Sequence, residues 1–369
     1  MINFYKPFIG IEEKKNLLDC LKSSWISSKG KYIKLFENKF STYTKIKYCA
    51  TTTNGTTALH LALLSLELKS GDEILVPSFT YIASVNCIKY LNAKVVFVDS
   101  DIDNYQIDIN DLKKKISKKT KAIICPHLYG NACDIDELKK IKKKYKVAIV
   151  EDCAEAIGTF YRRKHVGGFF DVSTFSFFGS KTITTGEGGM VCSNNKKIID
   201  KVKKLRGQGL QNENKYYWHD VIGYNYRMTN LCASIGVAQL SKIKQILKIK
   251  KKIANFYFDH LKNLPIKFIK TTPYTENSYW LFTIMVKKLS IKNSLIKFLK
   301  DKKIETRPFF HLVSNMPMYS KKKIQFAKSF RAEKISKLGI CLPSHPNLTT
   351  GNQLQICQTI SFFFKKLNE

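Results

Sequence analysis

The order of apolar and amphipathic segments predicts an α/β fold, a sheet covered by helices on both faces, with a second and smaller domain at the C-terminal end. Three observations predict it. Short apolar runs alternate with helical patterns through the first two-thirds of the 369 residues. Apolar residues make up 44% and aromatics 12%, enough for a large packed core. A helical pattern from about 229 to 261 is followed by Pro265 and Pro273 and a shorter mixed segment, which puts the domain change near residue 245.

The predicted strands are 73–77, 94–99, 122–126, 147–152, 172–177 and 189–192, each a short apolar run rather than a helical repeat. Between them the spacing predicts helices over 57–68, 82–91, 135–145 and 196–205. No apolar run reaches membrane-spanning length, and residues 1–7 lack a signal-peptide pattern, so no membrane partner is expected. The ten cysteines are scattered without a Cys-x-x-Cys pair or a regular Cys/His spacing. Reduced, mostly buried thiols in a cytoplasmic protein, and no metal, follow as expectations.

Lys+Arg 63 against Asp+Glu 29 gives a net charge of +34, a balance that also occurs in nucleic-acid binders. Most of the excess is lysine, in stretches such as 139–144 and 248–252 where it interleaves with apolar residues at helical spacing. That is the pattern of solvated faces on amphipathic helices, and no zinc-finger, RNA-recognition or helix-turn-helix signature accompanies it. No nucleic-acid partner is therefore expected; anionic small substrates suit the charge better.

Three segments carry chemistry. In Thr53-Asn54-Gly55-Thr56-Thr57-Ala58 a Gly-Thr-Thr turn opens a helix, offering backbone N–H groups, two hydroxyls and a positive helix end to a phosphate. Alone it reads more readily as ordinary helix capping, and His60 on the apolar face reads as a packed core histidine. In Val147-Ala148-Ile149-Val150-Glu151-Asp152 a strand ends in two acids at its carboxyl end, where α/β proteins place ligands. A solvated strand end is the other reading, more apt for Glu151 than for Asp152 beside small residues. In Ser176-Phe177-Phe178-Gly179-Ser180-Lys181-Thr182-Ile183-Thr184-Thr185-Gly186-Glu187-Gly188-Gly189 one lysine stands among small residues instead of other charges. A half-desolvated amine is nucleophilic and can form a Schiff base with an aldehyde. Ser176 can add a hydroxyl to a phosphate site, the glycines let the backbone turn sharply or approach a ligand, and Glu187 is either a supporting acid or a salt-bridge partner. Phosphate cup, acid and lysine together suit pyridoxal 5'-phosphate, whose ring becomes an electron sink when a carboxylate keeps its nitrogen protonated.

These segments, with 24–30, 77–84, 127–130, 205–209, 223–230 and 305–311, resemble the sugar aminotransferases of the DegT/DnrJ/EryC1/StrS family over nearly the whole chain. The resemblance implies the aspartate aminotransferase (type I) fold of pyridoxal-phosphate-dependent transferases. A large mixed-sheet domain with an N-terminal arm would span 1–245 and a smaller α+β domain 246–369. It further implies that Lys181 bonds the cofactor and Asp152 pairs with the ring nitrogen. Thr56, Thr57 and Ser176 would bind the phosphate, Tyr81 would stack on the ring, and Glu155 would lie near the phenolic oxygen. Asn225 would reach the neighbouring subunit's site in a homodimer with shared active sites. Trp25, Ser27, Ser28, Arg307 and His311 would line the substrate side.

Two departures from the wider family matter. Many relatives carry histidine three residues before the lysine, where this chain has Phe178, and related sugar 3-dehydratases carry histidine at the lysine position. Lys181 therefore argues for transamination. The implied reaction moves an amino group from L-glutamate to a nucleotide-linked 4-keto-6-deoxy sugar, GDP-4-keto-6-deoxy-D-mannose by the form of the lysine segment. A UDP-linked 4-keto sugar is the alternative, and a non-catalytic basic binding protein on the same fold is the rival from another class.

Overall fold

A computed structural model describes residues 1–210, 217–320 and 330–368. Its main element is a seven-stranded sheet of β1 (Tyr48–Thr52), β2 (Glu73–Pro77), β3 (Lys94–Val98), β4 (Thr120–Pro126), β5 (Ala148–Asp152), β6 (Val172–Ser176) and β7 (Gly189–Ser193). The strand order is β1-β7-β6-β5-β4-β2-β3. β7 runs antiparallel to both neighbours and the remaining pairs are parallel, so the sheet is mixed. All six runs read from the sequence are strands. The seventh, β1, was not among them, because its Cys49-Ala50-Thr51-Thr52 is small and polar and leads into a turn. Pairing with β7, Ala50 opposite Val191 and Thr51 opposite Met190, makes it a strand.

Both faces of the sheet are buried, which is why the strands read as continuous apolar runs. Successive side chains point to opposite faces. Leu75, Ile123, Ile149 and Phe175 join one core with α2 (Lys31–Thr44), α6 (Ile135–Tyr145) and α8 (Asn230–Ser241). Ile74, Val76, Ile124, Val150 and Val172 join the other, with α3 (Gly55–Ser65), α4 (Ala83–Tyr90) and α7 (Lys196–Arg206). The two remaining helices of this region are α1 (Ile11–Lys22) and α5 (Ile109–Lys115).

The helical pattern over 229–261 is two helices, α8 and α9 (Ile243–Leu261), joined at Lys242. The break separates a helix held in the core of the seven-stranded sheet from one that leaves it. Ile243 and Ile246 pack in the sheet's core, whereas Ile253, Ala254, Tyr257 and Leu261 pack in a separate core with the four-stranded antiparallel sheet. That sheet comprises β8 (Lys267–Phe268), β9 (Phe282–Met285), β10 (Arg307–Pro308) and β11 (Gly339–Leu342), in the order β8-β9-β11-β10. The start of the N-terminal arm belongs with this smaller unit. Ile2 pairs with Ile304 and is buried in its core, and Phe4 N–H donates to Glu305 Oε2 at 2.8 Å. The ten cysteines are all free and nine are buried. Among the described residues no helix is long and apolar enough to cross a membrane.

Candidate active site

A cavity of about 390 Å³ opens at the carboxyl ends of the central parallel strands. Strand parity decides which of the paired acids meets it. Asp152 lies on the α3/α4 face with Val150, in register with Thr174, and both residues line the cavity. Its Oδ2 accepts from Ser84 Oγ at 2.7 Å and its Oδ1 from Ala154 N–H at 3.1 Å. Glu151 points to the opposite face and is fully buried there, contrary to the solvated reading of it. Its carboxylate accepts from the N–H groups of Gly167 (2.6 Å), Phe169 (3.0 Å) and Phe170 (3.1 Å), and His127 Nε2 lies 3.3 Å away. Since His127 Nδ1 accepts from Cys133 N–H at 3.0 Å, Nε2 carries the proton and donates to Glu151. Glu151 thus anchors the loop after β5, with a His127 ring nitrogen and the Cys153 thiol within 4.8 Å of its carboxylate.

The two threonines of the Gly-Thr-Thr turn have different surroundings. Asn54 caps α3 by accepting from Thr57 N–H at 2.9 Å, and Thr57 Oγ1 returns the bond to the Asn54 carbonyl at 2.9 Å. Thr57 is absorbed in that reciprocal cap and does not line the cavity; Thr56, one residue earlier, does. Ser176 ends β6 directly beneath Gly55, where a Cβ would come within 2.8 Å of the serine Cβ. The helix end, Thr56 and Ser176 therefore form a cradle that a larger residue at 55 would fill. Gly189 has a different use from the ligand approach read for this group: a Cβ there would meet the Asn54 carbonyl oxygen at 2.3 Å, so it brings β7 up to the start of α3.

Lys181 lies in the turn between β6 and β7, half-buried and lining the same cavity. Burial pulls its pKa below the ordinary lysine value, and the nearby Glu155 and Asp152 partly oppose this. Its Nζ sits 4.2 Å from the centroid of the Trp280 ring. Glu155 is buried at the cavity wall, accepts from Tyr129 N–H at 2.9 Å, and is pushed by burial up to about 7. Tyr81 is 57% exposed at the mouth beside Phe310, and Glu187 is exposed at the rim. Phe178, half-exposed, takes part of the wall.

A second chamber of about 370 Å³ shares Thr80, Tyr81, Ser180, Trp280 and Phe310 with the first. Arg307 and His311 line it, and Arg307 pairs with Glu305 at 2.5 Å. Three expected residues and Asn225 lie elsewhere in the single chain. Trp25, Ser27 and Ser28 sit on a loop tied to Asn230, whose N–H donates to Ser27 O (2.6 Å) and whose Nδ2 donates to Trp25 O (2.6 Å). Asn225 is exposed and accepts from Arg227 Nε at 3.2 Å. Sequence reasoning missed Ser84, Thr174 and Trp280. Ser84 had a local signal, a small hydroxyl in the first turn of a helix that follows a strand; Trp280 had none, since it arrives from the segment before β9, about 100 residues beyond the lysine turn.

The donor set fits pyridoxal 5'-phosphate: a hydroxyl-lined helix end, an anchored carboxylate and a desolvated amine face one space. Residues 7–361 match the DegT/DnrJ/EryC1/StrS aminotransferase family. The chain is 47% identical over 363 residues to a GDP-perosamine synthase of Escherichia coli O157:H7, with 98% of each chain covered. It is 46% identical over 368 residues to a GDP-perosamine synthase of Vibrio cholerae, with 99% of each covered. Among solved structures it is similar to Spr1654 of Streptococcus pneumoniae in its PLP-form, at a TM-score of 0.93 and 27% identity, with 99% of each chain covered. The mixed sheet, the lysine turn beside an anchored acid and a match that spans both the seven-stranded and the four-stranded sheet lead to one conclusion: this chain belongs to the DegT/DnrJ/EryC1/StrS aminotransferase family.

Proposed function

We propose that the protein moves the amino group of L-glutamate to the 4-keto carbon of GDP-4-keto-6-deoxy-D-mannose, forming GDP-perosamine. The full-length identity to two GDP-perosamine synthases carries this reading. Pyridoxal 5'-phosphate, when bound, supplies an electron-withdrawing ring that acidifies the carbon bonded to the transferred nitrogen. Thr56, Ser176 and the start of α3 would hold its phosphate, with Thr57 supporting that helix end. Asp152, fixed by Ser84 and Ala154, would hold the proton on the ring nitrogen. Glu155 would face the phenolic oxygen and Tyr81 the ring.

Lys181 Nζ takes the proton from the glutamate α-carbon and returns protons during the second half of the exchange. Its lowered pKa favours the free amine that this step needs. The outer chamber offers Arg307 and His311 to the anionic pyrophosphate of the nucleotide, and its aromatic walls exclude water from the sugar. The position of Asn225 outside the cavity supports a homodimer with shared sites. Close to it in sequence, Tyr217, Trp218, Val221 and Ile222 are exposed by 91%, 60%, 43% and 90%, an apolar stretch that a second copy would cover. In that assembly Asn225 and the Trp25–Ser28 loop would serve the partner's cavity. Free cysteines throughout the chain support a cytoplasmic setting.

Parallel assays with L-glutamate and either GDP-4-keto-6-deoxy-D-mannose or UDP-linked 4-keto sugars test the assignment. The GDP sugar should be aminated with a kcat/KM at least about tenfold higher. Turnover confined to UDP sugars defeats the substrate assignment, and no turnover of either defeats the enzyme reading. Borohydride reduction and peptide mapping should place the cofactor on Lys181.

A further inference from the structure

Two side chains from outside the large-domain sheet grip consecutive carbonyls of the lysine turn. Trp280, in the segment before β9, donates its indole Nε1–H to Ser180 O at 2.8 Å. Tyr5 on the N-terminal arm donates its hydroxyl to the Lys181 carbonyl. The arm is strapped to the smaller domain through Ile2 and Phe4, so both grips come from that side of the molecule. Trp280 itself has little freedom. It is 5% exposed, and its ring stacks on the buried Tyr129 with centroids 6.2 Å apart and 17° between planes.

The Lys181 amine lies over the face of this fixed ring, at 4.2 Å from its centroid. The negative face of an indole favours a cation, most strongly where water is excluded. We propose that Trp280 is a positioning residue for Lys181, holding the amine against its ring face and the turn through the Ser180 carbonyl. The proposal rests on the aminotransferase reading only in taking Lys181 as the reacting amine. Trp280 also walls both chambers, together with Thr80, Tyr81, Ser180 and Phe310, so material in the outer one touches the same ring that the lysine amine lies over. The other titratable groups facing the amine's cavity are Asp152 at the end of β5, Glu155 just after it, His127 after β4, Glu187 from the lysine's own turn, and Tyr81 at the mouth. The carboxylates favour the ammonium and burial opposes it; the indole adds to the carboxylates' side.

The test is competitive acylation of Lys181 across pH in the full chain freed of cofactor, read by mass spectrometry. Tryptophan is replaced globally by indoles of increasing fluorine content, which weakens the ring face without changing the fold. Within one chain the other two tryptophans, Trp25 and Trp218, line neither chamber, and the series is repeated on Trp25→Phe because that loop would serve the partner's cavity. The labelling midpoint should fall stepwise with fluorination, by about half to one pH unit in all. Trp280→Leu should reach a similar end point, while Trp280→Phe, which keeps a ring, should stay nearer wild type. In the holoenzyme the acid limb of the pH–rate profile should move the same way. A flat fluorination series, or equal shifts in the leucine and phenylalanine variants, overturns the assignment. A stepwise fall in a chain that transfers no amino group leaves it standing and defeats the aminotransferase reading alone.

Discussion

Ser84 Oγ donates to Asp152 Oδ2 at 2.7 Å, joining the first turn of α4 to the last residue of β5. Both residues are buried, and Thr80 Oγ1 lies 3.3 Å from the same serine hydroxyl. A buried bond to a carboxylate is worth more than a neutral one, because the charged acceptor has few other donors. Ser84→Ala should therefore lower kcat/KM about tenfold with Asp152 intact. Steady-state kinetics beside a thermal melt would check this; activity within about twofold of wild type would remove Ser84 from the acid's support.

Glu151, next to the site acid on the same strand, should behave in the opposite way. Glu151→Ala strands three backbone donors and His127 in the core, and should cost about 3 kcal/mol of stability. Urea unfolding measures the loss. Whatever enzyme remains folded should keep a near-normal KM, since this carboxylate does not face the cavity.

Thr56 lines the cavity and Thr57 caps the helix, so on the proposed function they should separate ligand binding from helix capping. Thr57→Val removes the hydroxyl that completes the cap on Asn54 and should lower the stability of the cofactor-free chain by about 1 kcal/mol. Thr56→Val should leave that stability unchanged and weaken pyridoxal phosphate binding about tenfold, as seen by equilibrium titration. Equal stability losses in both would contradict the division.

Glu155 gives the cofactor-free chain a pH signature. Burial pushes its folded-state pKa up to about 7, above the roughly 4.3 of an unfolded glutamate. Between those values the folded chain holds a proton that the unfolded chain has released. The stability this residue contributes is therefore fully present below about pH 4 and is lost as pH rises through about 7, by up to about 4 kcal/mol. Urea midpoints of wild type and Glu155→Gln, compared at pH 5 and pH 8, should show the decline in wild type only.

Ile222 is 90% exposed three residues before Asn225. If a second copy covers this stretch, Ile222→Asp should convert the dimer to monomer in analytical ultracentrifugation and lose activity in parallel. A dimeric, active aspartate variant would place the interface elsewhere.

The alternation of runs and helices exposed the central strands, and the short segments around Thr56, Asp152 and Lys181, which the fold brings to one cavity, stood out because each carries its signal locally. A strand end, a helix start and a tight turn need only neighbouring residues to be recognised. β1 escaped because its composition is indifferent and its partner β7 lies about 140 residues away in sequence. The break at Lys242 escaped because apolar periodicity continues through it; what changes there is which core the helix joins.

What sequence by itself determined is the set of groups: a lysine among small residues, an acid at a strand end, a hydroxyl-rich helix start. Tertiary structure decided their assignment. The period of two along β5 sends Glu151 and Asp152 to opposite faces, but only the crossovers that put α3 and α4 on one of them make Asp152 the cavity acid. Trp280 and Tyr5 reach the lysine turn from residues remote in the chain, and such contacts exist only once the chain has packed. Local chemistry is written in neighbouring residues, whereas facing and support are properties of the folded chain's packing.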